Sequence, residues 1–122
     1  MIKFKRILFP TDFSPAATHA LDFAISLALE HEASIFLVHV IEEIGFNSPF
    51  TLTSFPTTVE YHHGIEEEVK RELQKVISPQ LKRQIPVEEI LVRGKPFVEI
   101  IRVAKDKKAD LKIGRASCRE RV

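Results

Sequence analysis

Arg6-Ile7-Leu8-Phe9-Pro10-Thr11-Asp12-Phe13-Ser14-Pro15-Ala16-Ala17 contains a complete passage from strand to helix. Ile7, Leu8 and Phe9 form an apolar run without alternation, the pattern of a strand covered on both faces, and this predicts a central parallel strand. Thr11-Asp12-Phe13 supplies the turn. Ser14 then stands where an N-cap is needed, with Pro15 at the first helical position, where its missing N–H costs nothing. Ala17, Ala20, Leu21, Ala24, Ile25, Ala28 and Leu29 follow three or four apart, which predicts an amphipathic helix with one buried face.

Outward from this unit the pattern repeats. Ser34 to Ile41 (Ser-Ile-Phe-Leu-Val-His-Val-Ile) is a second apolar run of strand length, so the chain opens with a β-α-β unit. From Glu42 to His63 the periodicity is lost among Phe, Thr, Ser and Pro, and a long loop is expected there. Ile65, Val69, Leu73, Val76, Ile77 and Leu81 resume helical spacing behind Glu66, Glu67 and Glu68, which favour a helix start; Pro79 should kink or end that helix. Val87 to Val92 reads as a third strand, less apolar at its start and therefore near a sheet edge. Gly94-Lys95-Pro96 is a turn into a helix carried by Phe97, Ile100, Ile101 and Ala104 and closed by Lys105 to Lys108. Ala109-Asp110-Leu111 opens a fourth strand. Right-handed crossovers between such strands give an α/β, doubly wound, Rossmann-like parallel sheet.

At 122 residues one domain is expected, with 44% hydrophobic and 29% charged residues, too apolar a mixture for a disordered chain. The net charge of +1 offers no field that would gather nucleic acid or an anionic membrane surface. No apolar run approaches the roughly 20 residues needed to span a bilayer, and the amino terminus lacks the pattern of a signal peptide. With a single cysteine, Cys118, no internal disulfide is possible, and a cytoplasmic location is the expectation. Residues 112–122, Lys-Ile-Gly-Arg-Ala-Ser-Cys-Arg-Glu-Arg-Val, break the expected apolar run and resemble a translated sequencing-library adapter joined to a shortened reading frame. The expected division is therefore a domain over residues 1–111, incomplete at its end, and a non-native tail over 112–122. Without that tail, four positive residues and one negative are lost, the net charge becomes −2, and Cys118 goes too.

In a doubly wound sheet, ligands collect outside the carboxyl ends of the strands. Asp12 stands just past the first strand end, where a carboxylate can accept hydrogen bonds from ribose hydroxyls or meet a divalent cation beside phosphates. The same residue type also caps turns without binding anything. His62-His63 lacks an acidic or thiol partner at ligand spacing and reads as a solvated pair. His39, on a buried strand, reads as a satisfied core or strand-end histidine. Glu66, Glu67, Glu68, Lys70, Arg71 and Glu72 read as a solvated, ion-paired helix face. No Ser/His/Asp or Cys/His set is placed for nucleophilic catalysis.

The Pro10-Thr11-Asp12-Phe13-Ser14 opening, with its apolar strand and small-residue helix, resembles the first motif of the universal stress protein family. Leu37-Val38-His39-Val40 resembles the family's second strand, Val92-Arg93-Gly94-Lys95-Pro96 its turn after the third, and Ala109-Asp110-Leu111 the start of its fourth. The matches fall in order and span residues 2–111.

The resemblance implies strand order 3-2-1-4-5, here with the fourth strand cut short and the fifth absent. It implies a cytoplasmic, dimeric stress-response protein that binds ATP and acts by regulation rather than catalysis. Pro10, Thr11 and Asp12 would line the adenosine pocket, Asp12 nearest the ribose and any nucleotide-bound magnesium, with Val40 against the adenine; by its position alone Val40 reads as core. The family's phosphate loop, G-x2-G-x9-G-[ST], does not occur in this sequence: Gly114 falls near the place of its first glycine, with no matching glycines after it. Without that cradle the 122-residue chain is expected to show no ATP-dependent rise in melting temperature. The alternatives are a family module that works through dimerisation and partner contacts without nucleotide, and a slow ATP hydrolase.

Overall fold

The computed structural model describes residues 4–42 and 59–114, with side chains for 4–42 and 64–114. The elements follow in the order β1 (Arg6–Pro10), α1 (Pro15–His31), β2 (Ser34–Glu42), α2 (Val59–Val76), α3 (Pro79–Gln84), β3 (Val87–Gly94), α4 (Pro96–Asp106) and β4 (Leu111–Lys112). The four strands form one parallel sheet in the order β3-β2-β1-β4. This matches the first four places of the expected 3-2-1-4-5 order. β1 is central, as its unbroken apolar run predicts, and β3 is an edge strand, as its glutamates predict.

The sheet carries a separate apolar layer on each face. Ile7, Phe9, Ile35 and Leu37 point to α1, α2 and the joint after α2, where Leu21, Ala24, Ala28, Leu73 and Ile77 meet them. Leu8 and Val38, one residue out of phase, pack on Ile100 and Val103 of α4. Both layers follow from the period of two along a strand, which sends successive side chains to opposite faces. Ile7, Leu8 and Phe9 are all fully buried. Burying three such side chains contributes about 1.5–3 kcal/mol each before ordering costs.

Local signals act as the residue types dictate. The Ser14 hydroxyl oxygen accepts from the Ala17 N–H at 3.1 Å and caps α1, and α1 ends at Glu32, whose left-handed backbone (φ 55°) turns its N–H back to the Ala28 carbonyl. Pro79 ends the long helix, as expected: α2 stops at Val76, Ser78 accepts from the Leu81 N–H at 3.3 Å, and a new one-and-a-half-turn helix begins at Pro79. Ile77 and Ile85 on either side of this joint are buried, so the break is held by apolar contact.

Three boundaries differ from the sequence reading. α2 starts at Val59 rather than near Ile65, so the last part of the stretch read as loop is helical. Val59 to Gly64 (Val-Glu-Tyr-His-His-Gly) lacks an apolar repeat, which is why periodicity does not find it. β3 runs two residues further, to Gly94, because its ladder with β2 continues to the Glu42–Gly94 pair. The fourth strand is paired at Leu111 and Lys112, and the Ile113 N–H still donates to the Leu8 carbonyl at 2.9 Å. Ile113 and Leu111 pack on the α1 and α2 layer. The stretch 43–58 of the expected loop, the side chains of His62 and His63, and positions 115–122 of the expected tail lie outside the described residues.

Candidate functional site

β1 ends at Pro10, opposite Val38, and β2 runs four residues further, to Glu42. One residue beyond Pro10, Thr11 continues the ladder by donating its N–H to the Val38 carbonyl at 2.8 Å. Thr11 is buried, whereas Asp12 and Phe13 are exposed. The chain then has two residues in which to turn up into α1.

Side chains fold back on the backbone to make that turn. Thr11 Oγ1 accepts from the Phe13 N–H at 3.1 Å, and Asp12 Oδ1 accepts from the Ser14 N–H at 2.9 Å. These are the turn bonds that Ser, Thr and Asp make with backbone two residues on. Phe13 sits between them with φ 63°, in the left-handed region, a conformation that costs a non-glycine residue about 1–2 kcal/mol. From the facing strand, His39 Nδ1 lies 2.7 Å from the Thr11 carbonyl oxygen, and its ring packs on Phe13 with centroids 4.6 Å apart. His39 is therefore a half-buried, hydrogen-bonded histidine inside β2, three residues before its end, and what it faces is the end of β1.

The four residues singled out at this edge do not all share one face. Pro10, two residues after Leu8, shares its face, and Val40 packs with Leu8 and Val38 on that same α4 side. Thr11 follows Phe9 on the other side. There a groove of about 300 Å³ opens between α1 and α2, with Phe9 and Thr11 at its base, Phe13, Thr18 and Leu21 on the α1 side and Val76 on the α2 side. Gly114 lies close to Pro10, where a Cβ would stand 3.1 Å from Pro10 Cδ. A side chain at Gly114 would crowd Pro10.

The opposite end of β1 explains another motif. Asp110 Oδ2 accepts from the N–H groups of Lys5 and Arg6 at 2.8 and 2.9 Å, while the Asp110 N–H donates to the Arg6 carbonyl at 2.8 Å. These two N–H groups hold the Asp110 carboxyl below its ordinary value, Lys5 contributing most and Arg6 next. Ala109-Asp110-Leu111 is thus a clasp that sets β4 against β1. The charged face of α2 is tied into the fold where Glu66 pairs with Arg93 of β3 at 2.5 Å; Glu72 and Lys75, 3.9 Å apart, make an exposed pair within the helix.

Sequence reasoning found the turn but not its conformation. The left-handed Phe13 and the His39–Thr11 bond depend on β1 and β2 being in register. The period of the two strands hints at this only by placing His39 on the same face as Phe9 and Thr11. Among the described residues there is no group of three His, Cys, Asp or Glu arranged to hold a metal ion, and no helix is long and apolar enough to cross a membrane.

Universal stress protein MJ0531 of Methanocaldococcus jannaschii is 29% identical over 108 residues, covering 88% of this chain and 62% of that relative. The chain thus spans less than two thirds of that relative's length. The solved structure of MJ0577 from the same organism is 28% identical with a TM-score of 0.73, covering 94% of this chain and 79% of the other. A universal stress protein solved in complex with cAMP shares the fold at 20% identity and TM-score 0.60, covering 91% of this chain and 72% of the other. Residues 3–112 match the model of the universal stress protein family, and the chain belongs to that family.

Proposed function

We propose that this chain is a regulatory, cytoplasmic stress-response protein. Its edge at Pro10, Thr11, Asp12 and Val40 receives the adenosine part of an adenine nucleotide, ATP in the first place. Binding selects a conformation; it is not followed by turnover. The observation that carries this reading is the edge itself: an exposed Asp12 carboxylate at the switch from β1 to α1, where β2 runs on past the end of β1. A carboxylate in that place suits ribose hydroxyls, which it can accept from. The description of a fold relative as a complex with cAMP agrees with an adenine-nucleotide class of ligand.

Magnesium enters this reading only with the nucleotide. Asp12 offers hard carboxylate oxygen, the donor type magnesium takes, but it stands without the further acidic or histidine ligands of a protein-built site among the described residues. Asp12 would hold a cation that phosphates already carry, which would offset their charge at the edge.

A second reading, a module that acts through a second copy or another partner, draws on Phe97 and Val98, both 50% exposed at the start of α4. Large apolar side chains that stay in water together often mark contact surfaces.

The test is a titration of the isotopically labelled chain followed by backbone amide signals. Ligand at a concentration equal to its Kd stabilises the native state by only about 0.4 kcal/mol, so amide shifts are more sensitive than melting. ATP and adenosine at millimolar concentration should both move the signals of Thr11, Asp12 and Val40, with guanosine moving them less. Unmoved signals at these residues with ATP, combined with a concentration-dependent dimer, would replace the nucleotide reading by the partner one.

A further inference from the structure

We infer that His39 is a positioning residue for the binding edge: by bonding the Thr11 carbonyl it ends the β1–β2 ladder one step early and holds the Thr11-Asp12-Phe13 turn in its left-handed form. The inference rests on the nucleotide reading above for its consequence, and on geometry for its substance. In a parallel ladder that starts with Thr11 N–H to Val38 C=O, the next bond runs from the Val40 N–H to the Thr11 C=O. His39 Nδ1 reaches that oxygen from the side at 2.7 Å. A carbonyl oxygen only accepts, so Nδ1 carries the proton. The backbone polar groups of Val40 face the same side as those of Val38 and stand past the last residue of β1.

The same side chain supports the strained residue. Phe13 pays for its positive φ with two contacts, the Thr11 Oγ1 bond to its N–H and the His39 ring 4.6 Å from its own. Thr11 is thereby held at three points: its N–H by Val38, its carbonyl by His39 and its hydroxyl by Phe13. Asp12, between two pinned residues, has little freedom left in its backbone, and a carboxylate presented in one orientation loses less entropy on binding.

Two variants separate the bond from the ring. His39→Asn keeps a donor close to the place of Nδ1 and loses the ring; His39→Phe keeps a ring for Phe13 and leaves the Thr11 carbonyl without its donor. In the full chain, His39→Phe should weaken ATP binding about ten-fold, because a turn released from His39 must be ordered as the ligand binds, and ten-fold corresponds to about 1.4 kcal/mol of such ordering. His39→Asn should recover most of that loss, and circular dichroism should show both variants folded. The amide-to-α-proton coupling and carbon shifts of Phe13 report its φ directly and need no ligand. They should show a left-handed residue in the parent and a loss of that signature in His39→Phe. ATP binding by His39→Phe equal to the parent's would overturn the inference, as would an unchanged Phe13 signature. If the parent itself binds no ATP, the nucleotide reading falls by that result, and the Phe13 signature alone then decides whether His39 sets the turn.

Discussion

Replacing Gly94 by alanine should destabilise the fold by about 2 kcal/mol, and the sources of that figure can be measured apart. Gly94 closes β3 at φ 141°, outside the range that side-chain-bearing residues adopt, and holding alanine there costs about 1–3 kcal/mol. An added Cβ would stand 3.0 Å from Glu99 Cγ and 3.1 Å from Glu99 Oε2. Glu99 is tied to Arg102 in the first turn of α4, so moving it aside weakens an ion pair worth about 0.5 kcal/mol. Against this, alanine narrows the unfolded ensemble and returns about 0.4–1 kcal/mol. At about 4 °C per kcal/mol for a chain of this size, the melting temperature should fall by about 8 °C.

Urea unfolding followed at a helical wavelength gives the free energy, and a cycle with Glu99→Ala divides it. Removing the Glu99 side chain abolishes the contacts but leaves the dihedral cost, so Gly94→Ala should still cost more than about 1 kcal/mol in that background. A cost below about 0.5 kcal/mol in the parent would refute the whole account. A cost that vanishes only beside Glu99→Ala would refute the dihedral half, leaving collision as the cause.

Two further outcomes follow from the clasp and the cap. Asp110 has its carboxyl lowered by the Lys5 and Arg6 N–H groups, so its contribution is present above the ordinary carboxylate range and is lost as pH falls through the lowered folded value. Asp110→Asn should remove that part of the acid-side stability loss below about pH 4, seen as a flatter dependence of urea midpoint on pH; an unchanged slope would show that the clasp carries no linkage. Ser14→Ala removes the hydroxyl that accepts from the Ala17 N–H and should cost about 1 kcal/mol in urea unfolding, whereas Ser14→Asp, which keeps an acceptor at the helix start, should stay within about 0.5 kcal/mol of the parent.

The sequence by itself determined those features whose signal is carried by neighbours in the chain. The unbroken apolar run Ile7-Leu8-Phe9 specified a doubly covered strand, Ser14-Pro15 the start of a helix, Pro79 its interruption, and the glutamates of β3 an edge place in the sheet. Each of these rests on local hydrogen bonding or on the period of burial, and both are written in residue order. The start of α2 was not legible, because Val59 to Gly64 continue a helix through backbone hydrogen bonds without an apolar repeat to mark it. At the edge, chain position pointed to Asp12, and it was the resemblance to the family that added Pro10, Thr11 and Val40. Only the tertiary structure decided that Thr11 opens toward the α1–α2 groove while Val40 packs on the α4 side, and that His39 takes the Thr11 carbonyl. Those facts depend on the register of β1 against β2, fixed by two apolar layers at once. The hydrogen-bonded residues stand 28 apart in the chain, so no local signal in the sequence can join them.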